Sequence, residues 1–249
     1  MPREDFRVLL SAVLAQRPVA TIDTAIAVMT DIEQALPATD GLWWFNHLYL
    51  RVTMAVRQAV AQQREFRDPE FLHRLDVVFA NLYFDAAAAG NTKAATAPPA
   101  WRPLLEARTP INRHPLQYAL AGMNAHINRD LPAGIVAVYQ QLGGAPTARG
   151  NRYDDFQQVN GILESVESAV KVEFATGLIG KIDAVAAPVD DQVAMWNVRA
   201  ARDAAWTNAE VLWTLQSAPA LRQDYFDRLD RFTGFASRGL LVPVSPRRA

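Results

Sequence analysis

Residues 68–90 read DPEFLHRLDVVFANLYFDAAAAG. Asp68 before Pro69 is a helix start: a short carboxylate caps the first free N–H groups, and proline loses nothing at the first helical position. From there the apolar residues recur at spacings of three and four until Gly90 supplies a stop, so the pattern predicts one amphipathic helix from Pro69 to Gly90.

The same pattern extends in both directions. Upstream it predicts helices near 3–16, 22–36 and 41–64. Downstream, GNTKAATAPPA (90–100) reads as a polar, proline-rich surface loop or hinge able to gate a pocket. A short helix follows near 101–108, then one from Pro115 to about Asn128, and another from Leu131-Pro132 to Gly143-Gly144. In residues 153–176, Phe156, Val159, Leu163, Val166 and Val170 form an apolar stripe. Helices near 189–216 and 219–236 complete the chain before a tail, 241–249, expected to fray. Runs of strict alternation are too short for a sheet. The expectation is an all-α, single-domain multi-helix bundle of about eight to ten helices over residues 1–249.

Composition narrows the function classes. The chain has 249 residues and a net charge of -1, with half its residues hydrophobic and a fifth charged. Charges of both signs are mixed, which leaves no electrostatic footprint for nucleic acid or an anionic membrane. No apolar run reaches the roughly 18–20 residues that span a bilayer. The opening MPREDFRVLLSAVLAQRPVA lacks the basic-then-apolar plan of a secretory signal. The expectation is a cytoplasmic protein with a small-molecule partner. Cysteine is absent, which excludes disulfides, thiolate zinc sites and cysteine nucleophiles and leaves His, Asp and Glu as metal ligands.

Three helices carry the candidate chemistry. GLWWFNHLYLRVTMAVRQAV (41–60) sets His47 among Trp43, Trp44 and Tyr49. Residues 68–90 place His73 and Asp76 three apart, and Asn81 and Asp85 four apart. Asp76 and Asp85 are nine residues apart, on opposite faces, so one ion cannot take both. In HPLQYALAGMNAHINRDLP (114–132), His126 and Asp130 have i,i+4 ligand spacing, with Gly122 and Ala119 leaving the wall beside His126 bare. Each also has a structural reading: a core histidine, an Asp76–Arg ion pair, Asp130 as a cap and Gly122 as a site of close helix packing.

Together His47, Asp76, His126 and Asp130 supply two imidazoles and two carboxylates, an inventory that suits zinc, iron or manganese in a helical bundle. Asn46, Asn81 and Tyr83 are candidates to orient those ligands. A second stripe, Trp196, Arg199, Asp203, Trp206, Glu210 and Trp213, reads either as a pocket wall with Arg199 binding an acidic group or as a tryptophan seam between helices. Nucleophile-elbow, phosphate-loop and dinucleotide motifs are missing.

The segments LWWFNHLYLRVT, RLDVVFANLYFDA, LAGMNAHINRDLP and WNVRAARDAAW resemble an actinobacterial family known only as a domain of unknown function. The resemblance covers most of the chain and implies that His47, Asp76, Asn81, His126, Asn128 and Asp130 belong to its motif segments. It implies no activity. ALAGMNAHINRDLP is also similar in layout to the His-x3-Asp ligand helix of zinc-dependent phospholipase C and related single-strand nucleases. That resemblance implies zinc on His126 and Asp130, but no histidine follows His126, so a complete trinuclear site is excluded.

The expected function is a metal-dependent enzyme, a hydrolase first and a non-haem iron oxygenase second, acting on a small, partly apolar substrate. His47, Asp76, His126 and Asp130 are the expected ligands. Asp85 is expected to relay a proton and Arg199 to orient the substrate, with Trp44, Asn81, Tyr83, Asn124 and Trp196 lining the pocket. The rivals are a metal-free small-molecule-binding protein and a metal-independent cyclase or isomerase using an aspartate in an aromatic cavity.

Overall fold

The structure, a computed structural model, describes residues 3–62, 66–109, 112–176 and 197–243. All regular structure among them is helical. Helix α1 spans Arg3–Leu14, α2 Ile22–Ala35, α3 Gly41–Ala61 and α4 Pro69–Thr92. The expected start of α4 is observed, with the Asp68 side chain accepting from the Phe71 N–H at 3.0 Å and Pro69 in the first turn. Asp40 caps α3 by accepting from the Leu42 N–H at 2.9 Å, and a Thr21/Thr24 capping box opens α2.

After a short α5 (Arg102–Ala107), α6 (Pro115–Ala125) and α7 (Leu131–Leu142) run on from each other through residues His126–Asp130. That junction is a π turn: the Leu131 N–H donates to the His126 carbonyl, five residues back. Pro132 supplies a physical reason, since it has no N–H for the Asn128 carbonyl and its ring would crowd a regular α-turn. The sequence pattern predicts two helices meeting here, and the chain instead makes one rod with a widened turn at His126. Gly143, at φ 79°, ends it.

Helices α8 (Asn151–Thr176), α9 (Val198–Thr214) and α10 (Pro219–Leu240) complete the described fold. The α6 half of the rod packs on α3 and α10, and the α7 half on α4 and α9. Helix α3 also meets α2 and α8, while α1 lies on α2 and α4. The result is an all-α, single-domain bundle around one apolar core, in which Phe45, Phe84, Trp101, Tyr118, Phe156 and Trp206 are sealed from solvent. Burying each such side chain contributes about 1.5–3 kcal/mol. No helix among the described residues is long and apolar enough to cross a membrane.

The segment expected to be a surface loop or hinge is exposed at Thr92, Lys93, Ala95 and Thr96 and packed at its two ends. Residues 90–92 finish α4, Ala94–Thr96 form a single tight turn, and Ala97 and Ala100 are buried. The Ala100 N–H donates to Asp230 of α10 at 2.7 Å. A Cβ on Gly234 would stand 2.4 Å from the Pro99 carbonyl oxygen, so the glycine lets α10 lie directly on this stretch. Residues 63–64, 189–196 and 244–249, which complete three of the expected segments, lie outside the described residues.

Candidate functional site

A cavity of about 50 Å³ lies where α3, α4, the π turn, α8 and α9 converge. Helix α3 presents Tyr49, Val52, Thr53 and Val56 to it, residues spaced as one helical face. Helix α4 presents Leu75, Asp76 and Phe79; the rod presents Met123, His126, Ile127 and Leu131; α8 presents Val159 and Leu163; and α9 presents Arg202. The walls are apolar and the polar groups few, which is the usual composition of a small-molecule site.

His126 is completely buried. Its ring stacks on Phe79 with centroids 3.4 Å apart and meets the Tyr49 ring edge-on at 4.6 Å. Asp130 Oδ2 lies 3.0 Å from His126 Nδ1 and accepts from Trp101 Nε1 at 2.9 Å, while Oδ1 accepts from Arg129 at 2.6 Å. Because that carboxylate acts as an acceptor throughout, Nδ1 carries the hydrogen and Nε2 keeps its lone pair. His126 Nε2 is buried without a hydrogen-bond partner among the described residues. Burial holds the imidazole below its ordinary pKa, against the opposing pull of Asp130, so the neutral ring is favoured.

Asp76 is the second unsatisfied group. Part of the residue reaches solvent, but Oδ2 is sealed and has no hydrogen-bond partner among the described residues. Desolvation pushes its pKa up to about 7, the nearby Arg202 cation only partly opposing this. Arg202 is held by Asn160 Oδ1 at 2.7 Å and the Phe156 carbonyl at 2.8 Å, with its guanidinium 3.9 Å from the centre of the Phe156 ring. Burial draws Arg202 down to about 10, where it remains a cation at neutral pH. The cavity thus combines a neutral imidazole base, a carboxyl that exchanges its proton near neutrality and a fixed positive charge.

The four expected metal ligands do not meet at one point. His47 lies two residues from both Phe45 and Tyr49 on α3, so it faces away from His126. Its ring stacks on Trp43 at 4.6 Å and its Nδ1 pairs with Glu33. Asp130 is occupied by its three donors, which leaves Asp76 and His126 at the cavity. Among the described residues no three His, Asp or Glu side chains are gathered as metal ligands.

The other expected site residues that the structure describes are not among those lining this cavity. Asp85 is 69 % exposed and pairs with Arg17 at 2.9 Å, and Arg199 pairs with Glu164 at 2.8 Å on the surface. The Trp44 indole donates to the Ala38 carbonyl at 2.9 Å. Asn81 holds both backbone groups of Val19, and Tyr83 donates to Asn46 at 3.2 Å. Asn124 ties the rod to Thr233 and Ser237 of α10. Trp196 lies outside the described residues. Gly122 is a packing position, where a Cβ would stand 2.4 Å from the Phe45 ring.

Tyr49 and Arg202 lie within the family-like segments LWWFNHLYLRVT and WNVRAARDAAW, but the sequence reading names neither as a site residue. A signal for Arg202 was nonetheless present, since it falls on the apolar face of its helix with Ala205, Trp206, Ala209 and Leu212. An arginine in that position must find partners inside the protein.

Fold and cavity together define an all-helical protein with a small buried site carrying Asp, His and Arg. The chain belongs to the family of unknown function DUF5995, whose profile matches residues 22–243. No curated protein and no solved structure matches the chain.

Proposed function

We propose that this protein is a metal-independent acid–base enzyme of the isomerase type, acting on a small, partly apolar carbonyl compound. The observation that carries the reading is that His126 and Asp76 both belong to the lining of one cavity, each with a sealed polar atom, Nε2 and Oδ2, that has no hydrogen-bond partner among the described residues. In this scheme Nε2 removes a proton from carbon beside the carbonyl, and the protonated Asp76 gives its proton to the carbonyl oxygen. The C–H bond breaks, the O–H bond forms and the electron pair moves into the enol. Arg202 stabilises the negative charge developing on that oxygen. A volume of about 50 Å³ holds about four water-sized atoms, which sets the size of substrate accepted without side-chain movement. A cytoplasmic setting belongs to the same proposal, consistent with the absence of cysteine.

A metal-assisted hydrolase is the second reading. One observation favours it: a carboxylate accepting from Nδ1 is how metal-ligating imidazoles are commonly held. Against it stands Arg202, a cation lining the cavity that an added metal ion would share.

The test is solvent exchange. Enolisable carbonyl compounds of that size, acetone and glycolaldehyde among them, are incubated with the protein in D₂O and followed by proton NMR. Deuterium incorporation that survives dialysis against chelator, and is lost in His126→Gln and Asp76→Asn, supports the proposal. Exchange or hydrolysis abolished by chelator and restored by zinc transfers the assignment to the metal reading. Saturable binding without exchange makes the protein a receptor.

A further inference from the structure

A second cavity, of about 380 Å³, opens between α7, α9 and the first turns of α10. It shares no residue with the cavity around Asp76. Val136 and Ala137 of α7, Leu212 of α9 and Phe226 of α10 make its walls apolar, with Gln140 at the rim. Arg222 is the one charged side chain lining it among the described residues. Its Nε is sealed from solvent and has no hydrogen-bond partner among those residues. Arg222 as a whole is half-buried and its guanidinium has no hydrogen-bond or ion-pair partner among the described residues, so a carboxylate brought into the cavity would supply one to its outer N–H groups. Ala218, preceding α10, offers no side-chain cap, so the positive end of the helix dipole lies at the same rim through Pro219.

We propose that this cavity binds a small amphiphilic carboxylate, its head on Arg222 and its short hydrocarbon body along Val136, Leu212 and Phe226. The volume lies in the range of sites for small organic molecules and exceeds what a bare inorganic anion fills. Apolar walls with a single cation select against both an uncharged chain and a chainless anion. This site stands independently of any reaction at Asp76.

The test uses the full chain and hexanoate, with hexanol and acetate as tail-only and head-only controls, read by methyl NMR at Val136 and Leu212. Hexanoate is expected to give saturable shifts, and each control to bind about tenfold more weakly or worse. Arg222→Met removes the head contact and Ala137→Leu fills the groove from a half-buried position. Each is expected to weaken hexanoate by a similar factor, with circular dichroism showing both variants folded. Equal binding of hexanol and hexanoate, undiminished binding in folded Arg222→Met, or no saturable shift with hexanoate would overturn the proposal.

Discussion

His126 and Asp130 are joined across a π turn, Nδ1 to Oδ2 at 3.0 Å, with the Leu131 N–H bonded to the carbonyl of the same histidine. The widened turn and the carboxylate act on one ring: the backbone sets where His126 enters the cavity, and Asp130 sets which nitrogen faces it. Asp130 is in turn held by Trp101 and Arg129, and Arg129 reaches Asp230 of α10 at 3.4 Å. The ring is therefore tied to α5 and α10 as well as to its own helix.

Replacing Asp130 tests that arrangement. Asp130→Asn offers an NH₂ where the carboxylate accepted, leaving Arg129 short of a counter-charge in a buried setting. A loss of about 3–5 kcal/mol is expected in urea unfolding, the usual consequence of breaking one side of a buried ion pair. Under the acid–base reading the folded fraction also exchanges substrate protons more slowly, because the imidazole loses its fixed tautomer.

Asp76 gives a prediction in pH. Its pKa in the folded state is raised to about 7, from 3.8, because burial disfavours the charged form. Between those values the folded state binds more protons than the unfolded state, so stability falls as pH rises through the interval. Asp76→Asn has no such proton to lose. The stability difference should move in favour of the variant by about 2–4 kcal/mol between pH 4 and pH 8 and level off above that. A pH-independent difference would mean that Asp76 titrates normally. Proton exchange by the wild type should fall above pH 7, where Asp76 ionises, and again on the acid side, where His126 takes up a proton.

Asp85 and Arg199 provide the contrasting case. Both belong to exposed ion pairs, and neither lines the Asp76 cavity. Exposed pairs contribute little to stability because water and salt screen them. Asp85→Asn and Arg199→Gln should leave the urea midpoint and any exchange activity unchanged. A large loss of activity in either would relocate the site.

The helices were legible because apolar spacing and the Asp68-Pro69 cap act locally. The π turn was not, because it arises from Pro132 continuing a rod that pattern alone divides in two. Asp76 and His126 were legible as polar groups on largely apolar helices. Their company was not: on α3 the cavity takes Tyr49 and leaves His47 two residues away, a choice made by how α3 rolls against α6. Asp130 was legible as a partner of His126, but its engagement by Trp101 depends on α5 arriving from 29 residues earlier in the chain.

Gly122 measures how tightly that roll is held. It sits one turn before His126 on α6, and an added Cβ would meet the Phe45 ring at 2.4 Å. Phe45 is fully buried among Tyr83, Trp101 and Tyr49, whose rings lie 4.9, 5.1 and 5.7 Å from its own, so it has little room to retreat. Gly122→Ala gains about 1 kcal/mol of helix propensity, yet overpacking of this kind costs about 1–3 kcal/mol, and the clash should win. The expected result is a lower urea midpoint together with shifted His126 ring resonances, since α3 must move away from the rod to admit the methyl group. An unchanged midpoint and unperturbed His126 signals would show that α3 and α6 can separate freely, and that the cavity between them is softer than its close packing implies.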